Sequence, residues 1–261
     1  MTIRYLSENA YIDTFEYLAA AGYAVCRIPA AGPPPLSVSA PISAPVAGSS
    51  PHSDAAPAAP VSAPVAGSSP HSDAAPAAPV SAPVADHADL YCCRLGIADD
   101  APVIHAQPGD LAPGYPQEAA FNAVCTGRFF LHHTGVTNPR LLAGAEDFGQ
   151  KIIHVRQGYT RCSTIPVSEN ALITYDRGIA IPAEKAGLDV LLIEPGHVLL
   201  PGYDSGFLGG TCGNLQGRTL LFNGDLTAHP DFRRITEFAE SYGLTCRWIP
   251  EKPLRDIGSI I

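Results

Sequence analysis

The stretch from Lys151 to Gly210 dictates the plan of the chain, because it holds one complete structural module and the start of the next. Ile152 to Val155, Thr164 to Val167, Ala171 to Tyr175 and Val190 to Ile193 are apolar, β-branched-rich runs of strand length, bounded by Gly, Asp, Asn or Pro. Between the last two, AIPAEKAGL is the one segment that suits a helix, short and ended by Gly187. The unit is a β-hairpin, a helix and a strand, followed by a long loop that leads to Gly209-Gly210.

The rest of the chain reads as variations on this unit. Asn9 to Gly22 carries a helical stripe of Ile12, Phe15, Leu18 and Ala19, and Tyr23 to Ile28 is a strand stopped by Pro29. Folding resumes at Asp86 with HADLYCCRL as a strand and PVIHAQ as its hairpin partner; QPGDLAPGYPQEAA is a proline-rich connection where a helix is weak or missing. FNAVCTG and RFFLHH form a hairpin through Thr126-Gly127, and Asn138-Pro139 caps a helix over Arg140 to Gly149. GFLGGTCG and RTLLFNG form another hairpin. HPDFRRITEFAESYG is a helix with Phe232, Ile235, Phe238, Ala239 and Tyr242 on one face, TCRWIP is a strand, and PLRDIGSII is a final strand. Helix-to-strand joins recur at Gly22, Gly149, Gly187 and Gly243. Five such units, the last hairpin incomplete and the chain beginning with the helix it lacks, fit a closed ring of blades joined across the termini. The expected fold is α/β, a five-bladed ββαβ propeller, with residues 1–29 and 86–261 as its single domain.

Residues 30–85 break every pattern. SAPVAGSSPHSDAAPAAPV occurs at 43–61 and again, letter for letter, at 62–80, and a third copy begins at Ser81. The copies hold no aromatic residue, no Leu and no Ile, so they bury too little apolar area to offset the entropy of ordering. The segment reads as a disordered low-complexity insert, either a passive loop or a tether for a partner.

Charge and cysteine usage narrow the function classes. A net charge of −9 without a basic stripe argues against nucleic-acid partners, which are held by Lys and Arg neutralising phosphates. Seven cysteines, an odd number with no C-x-x-C pair and no secretory layout at the N-terminus, read as reduced thiols in a cytoplasmic protein. No run of 18 apolar residues exists, so no membrane span is expected. Cys92-Cys93 beside His87, and likewise His132-His133, are adjacent strand residues that point to opposite faces, so neither pair readily shares a metal. The glycines at 206, 209, 210 and 213 lack P-loop or Rossmann spacing, Asp225 belongs to the turn before the last helix, and no cofactor is expected.

QGYTRCS, SENALITYDRGI, DVLLIEPGHVLLPGYDSGFLGG, LFNGDLTAHPDF and PLRDIGSII are similar to a family of uncharacterised bacterial proteins assigned to the pentein fold of guanidino-group-modifying enzymes. The resemblance covers nearly all of Asp86 to Ile261 and, more weakly, residues 3 to 29; the insert has no counterpart. It carries no established activity, but the fold implies a chemistry. Such enzymes attack a guanidinium carbon with a cysteine thiolate, move protons with a His-x-Asp pair and hold the flat cation between carboxylates. In cyclic order, His87-Ala88-Asp89 opens one blade, Phe121-Asn122 the next and Cys162 the third. The resemblance then implies Cys162 as nucleophile, His87 as general acid/base, Asp89 orienting it, and Asp256 or Asp204 on the cation, with Asn122, Gly209 and Gly210 around the substrate. The pattern departs from the enzymes at the C-terminus, where Asp256-Ile257-Gly258-Ser259 stands in place of their cysteine, and the Glu-Gly-Gly-Asp motif is absent. Two readings stay open: a hydrolase or amidinotransferase acting on a guanidino or amidino compound, and a non-catalytic module of the same architecture that binds a small ligand or a protein.

Overall fold

Glycines that follow the helices, and the side-chain caps of Asn138 and Asp176 at the start of two of them, mark a repeating strand–helix order. The computed structural model describes residues 2–30 and 82–261, and in it β1 (Ile3–Ser7), α1 (Ile12–Ala20) and β2 (Ala24–Ile28) form the first group. β3 (Cys92–Arg94) and β4 (Val103–His105) follow, then β5 (Val124–Cys125), β6 (Phe129–His132), α2 (Pro139–Asp147) and β7 (Lys151–His154). The next group is β8 (Thr164–Ser168), β9 (Ala171–Thr174), α3 (Arg177–Ala186) and β10 (Asp189–Leu192). The last is β11 (Cys212–Leu215), β12 (Thr219–Phe222), α4 (Phe232–Ser241) and β13 (Thr245–Trp248). The described residues thus form a mixed α/β structure with four α-helices and five small sheets.

Three of these sheets share one construction. An antiparallel hairpin is joined by a helix to a third strand parallel to its second: β5-β6-β7, β8-β9-β10 and β11-β12-β13. The helix is needed because a parallel partner cannot be reached by a tight turn. Local chemistry fixes the helix ends: the Asn138 side chain accepts from the Arg140 amide at 2.9 Å, and Gly187, at φ 102°, supplies the left-handed cap of α3. The β3–β4 hairpin lacks its helix, and Gln117–Ala119 is only a short 3₁₀ turn, as the prolines of that connection dictate.

The structure differs from the sequence expectation at three places. β1, parallel to β2, was missed: Arg4 alternates with Ile3, Tyr5 and Leu6 in a run too short to signal itself. Only Cys92–Arg94 of the expected 87–95 strand is a strand; Ala88–Leu90 is a 3₁₀ turn, drawn inward because the Asp89 amide donates to the Gly258 carbonyl at 3.1 Å. The final segment is not a regular strand. Arg255 makes an isolated parallel bridge to Leu199, Gly258 and Ser259 take left-handed backbone (φ 66° and 67°), and Ile261 exchanges both backbone bonds with Tyr5 at 3.0 Å. Such a reciprocal pair is antiparallel, so the C-terminus lies along β1.

Five apolar clusters hold the described residues together, and each is shared by two sheets. Leu6, Leu18 and Tyr23 of the first group pack with Leu215 and Leu221 of the last; Ile28 packs with Leu90 and Cys92. Cys93 and Leu95 pack with Phe130 and Leu141, Leu131 and Ile153 with Leu172 and Ile179, and Ile165 and Ile173 with Leu220 and Ile235. The repeat copies at 43–61 and 62–80 lie outside the described residues. At the insert's far end, Ala82–Val84 form a 3₁₀ turn and Val84 and Ala85 are buried, so the fold resumes before Asp86. No helix of the described residues is long and apolar enough to cross a membrane.

Candidate functional site

Four loops meet around one thiol. The 3₁₀ turn over Ala88–Leu90 presents His87 and Asp89, the turn before β5 presents Asn122, the loop before β8 presents Cys162, and the C-terminal segment presents Asp256 and Ser259. None of the six exposes more than 3 % of its surface. The ligand atoms of His87, Asp89 and Cys162 all lie within 4.8 Å of one another.

The hydrogen bonds show what each group does. Cys162 Sγ donates to Asp89 Oδ2 at 2.9 Å and accepts from Asn122 Nδ2 at 3.3 Å. Asn122 Oδ1 accepts the amides of Arg161 (2.8 Å) and Cys162 (3.2 Å), so it fixes the loop that carries the thiol. Asp256 accepts from the amides of Phe207 (2.9 Å) and Gly258 (3.0 Å), and its Oδ1 lies 3.9 Å from His87 Nδ1. Ser259 Oγ lies 2.8 Å from Asp89 Oδ2. Asp89 Oδ1 is buried without a hydrogen-bond partner, an acceptor aimed at no donor of the chain.

Two of the expected placements are corrected. Asp89 does not orient His87: its bonds go to Cys162 and Ser259, and the carboxylate facing His87 is Asp256. Asp204 is exposed and does not line the cavity at the cluster, although its neighbours Tyr203 and Ser205 do. Gly209 and Gly210 are present at the site but as floor. A Cβ on Gly209 would lie 2.5 Å from the Cys162 carbonyl oxygen, and one on Gly210 would lie 1.9 Å from Asp256 Oδ1. The Gly210 amide is already used by the Cys162 carbonyl at 2.9 Å. Ser259 was missed; its signal was the Gly258-Ser259 pair itself, a tight turn at the end of the chain.

A cavity of about 70 Å³ opens onto the cluster, lined by His87, Cys162 and Asp256 together with Tyr159, Tyr203 and Phe207. Phe207 stacks on Tyr175 at 5.7 Å, and the Tyr159 hydroxyl donates to Glu118. The lining thus combines titratable and aromatic side chains. Burial, then the Asp89 and Asp256 charges, push the Cys162 thiol well above its ordinary value, so it carries its proton at neutral pH. Burial also raises Asp256, against the pull of His87. A cysteine, a histidine and a carboxylate at this spacing are also a donor set for a thiophilic divalent ion such as zinc.

A family of unknown function, DUF6873, matches residues 103–261. The chain belongs to that family. The DUF6873 segment contains Asn122, Cys162, Asp256 and Ser259, whereas His87 and Asp89 precede it. No curated protein and no solved structure matches the chain.

Proposed function

We propose that this DUF6873 member is a pentein-like ring whose buried cluster binds a small guanidinium or amidinium compound and attacks it with Cys162. The observation that carries the reading is the convergence of Cys162, His87 and Asp89 within 4.8 Å, beside a second buried carboxylate, Asp256. The ring reading draws support from the five apolar clusters, which link the sheets in cyclic order, the last with the first. The pairing of Ile261 with Tyr5 supplies the hairpin strand that the first group lacks.

A planar cation fits the charge pattern. Asp256 lines the cavity beside His87, the second carboxylate, Asp89, is buried next to Cys162, and burying unbalanced charge is expensive. A guanidinium donates in-plane to carboxylates and stacks on aromatic walls such as Phe207. Its charge also offsets the two carboxylates that hold the thiol up, so the ligand itself favours the thiolate. His87 takes the thiol proton; sulfur bonds to the guanidinium carbon; the carbon–nitrogen bond breaks and the amine leaves with the proton from His87. Water, deprotonated by His87, then adds to the S-amidino carbon, the carbon–sulfur bond breaks and the sulfur recovers the proton, giving a ureido product. An amine in place of water gives amidino transfer. Asp89 holds the thiol and the cation, and Asn122 positions the Cys162 loop. The acidic chain takes no nucleic acid in this scheme, and the reduced thiols suit the cytoplasm.

The test is alkylation by 2-chloroacetamidine, a cation of the proposed shape, against neutral iodoacetamide in a Cys26→Ser background, since Cys26 is exposed. Cys162 should react at least about tenfold faster with the cation, a preference of about 1.4 kcal/mol. Equal or slower labelling at Cys162 overturns the catalytic reading. A second reading is favoured by the 2 % exposure and raised pKa of Cys162: a non-catalytic binder of the same cations. It predicts stabilisation by guanidino compounds without turnover or labelling.

A further inference from the structure

The strands that begin the five sheets also meet around a second cavity, of about 30 Å³, and three of its lining residues are arginines: Arg4 of β1, Arg94 of β3 and Arg161 just before β8. Asn214 of β11 and the thiols of Cys93 and Cys125 complete its polar lining. None of the carboxylates of the Cys162 cluster lines it.

The charges do not balance. Arg4, only 2 % exposed, pairs with Asp99. Arg94, 8 % exposed, spends its terminal nitrogens on the carbonyls of Asp99 (2.8 Å), Ala101 (3.2 Å) and Ile3 (3.0 Å). Arg161, 6 % exposed, spends its own on the carbonyls of Thr164 (3.0 Å), Gly209 (3.0 Å) and Cys212 (2.8 Å). Three buried guanidinium groups therefore meet one side-chain carboxylate. Nε of Arg4 and Nε of Arg94 are buried with no acceptor at all. Buried charges are ordinarily paired, and a buried donor without a partner costs about 1–3 kcal/mol. Burial and the neighbouring Arg4 charge pull the Arg94 pKa down, the direction that excess positive charge dictates.

We infer that this arginine-lined cavity is a binding site for one small inorganic anion of halide size. The size follows from the volume: 30 Å³ is a few times the roughly 10–15 Å³ that one water requires, too little for a phosphorylated metabolite. The anion supplies the missing counter-charge and accepts from the unpartnered nitrogens. It also braces the backbone that carries the thiol, because Arg161 lines this cavity and its neighbour Cys162 the other. The inference stands on its own observations and survives if the guanidinium reading fails.

Sodium bromide serves as the probe. The intact protein is melted in sodium bromide and in sodium gluconate at equal ionic strength, gluconate being too large for the cavity. Bromide at ten times its dissociation constant should raise the melting temperature by at least about 3 °C relative to gluconate. A bromide-soaked crystal should show an anomalous peak between Arg94 and Arg161. Arg94→Met should abolish the bromide shift, and Arg94→Lys, which keeps the charge if the methionine variant fails to fold, should reduce it. Equal melting in the two salts, or anomalous peaks only outside the cavity, overturns the site.

Discussion

The Cys162 thiol is held by two opposed influences, and a single substitution separates them. Asp89 accepts its hydrogen bond and disfavours its ionisation; in the proposed reaction the same carboxylate attracts the substrate. Asp89→Asn removes one of the charges that raise the thiol pKa while leaving the larger contribution, burial, in place. Reaction of Cys162 with neutral iodoacetamide at pH 8 should then rise by about 3–10-fold, because a lower pKa leaves more of the reactive thiolate. Reaction with 2-chloroacetamidine should rise less or fall, because half of the cation's counter-charge is gone. Parallel changes with both reagents would show that Asp89 acts on the thiol alone and has no part in recognising a cation. His87 and Asp89 were legible as neighbours because they flank one small residue. The partnership of His87 with Asp256 was not, since it spans nearly the whole described chain and exists only once the C-terminal turn closes over the 3₁₀ turn.

Strands and helices with internal periodicity were readable, and those defined by a partner were not. The β8–β9 hairpin, α3 and β10 carry their own signals: β-branched runs, Asp176 accepting from the Gly178 amide at 2.6 Å, and Gly187 at the end. β1 and the C-terminal segment owe their extended form to pairing with β2 and with each other, a long-range contact that no local pattern records. β6 shows how an element's polar residue can also be part of its core. His132 is fully buried on this strand, with Nε2 donating to the Gly158 carbonyl at 2.9 Å and Nδ1 2.7 Å from the Thr137 hydroxyl, so both ring nitrogens are used by the neutral form. Burial lowers its pKa from 6.5 to about 4. The folded state therefore resists a proton that the unfolded chain accepts, and this stability, present above pH 6.5, is lost as pH falls toward 4. The full contribution is about 3 kcal/mol at 1.36 kcal/mol per pKa unit. Asp256 works in the opposite direction, since its raised pKa favours protonation in the folded state on acidification. Urea midpoints at pH 7 and pH 4.5 check the sign: His132→Gln should be less stable than the parent at pH 7 and lose distinctly less on acidification. Equal losses would mean that His132 accepts a proton without disturbing β6.

At the scale of the molecule, residues 2–30 and 82–261 belong to one contact unit and share the clusters around Leu6 and Leu90. We propose that the repeat is an insert into a finished fold. Its identical copies allow a clean test, because deleting residues 43–61 restores the same sequence at the junction and changes only the length of the segment. Loop closure varies with the logarithm of length, and even a halving changes stability by only about 0.6 kcal/mol. Removing one copy should therefore shift the melting temperature by no more than about 3 °C, upward if at all, since a shorter closed segment costs less entropy. The rate of Cys162 alkylation should stay unchanged, because the cluster is built by residues 87–89, 122, 162 and 256–259. A drop of ten degrees, or loss of Cys162 protection, would mean that the repeat packs on the fold and contributes to its core. That result would require apolar contacts from a sequence whose only apolar side chains are Ala, Pro and Val, a composition poorly able to supply them.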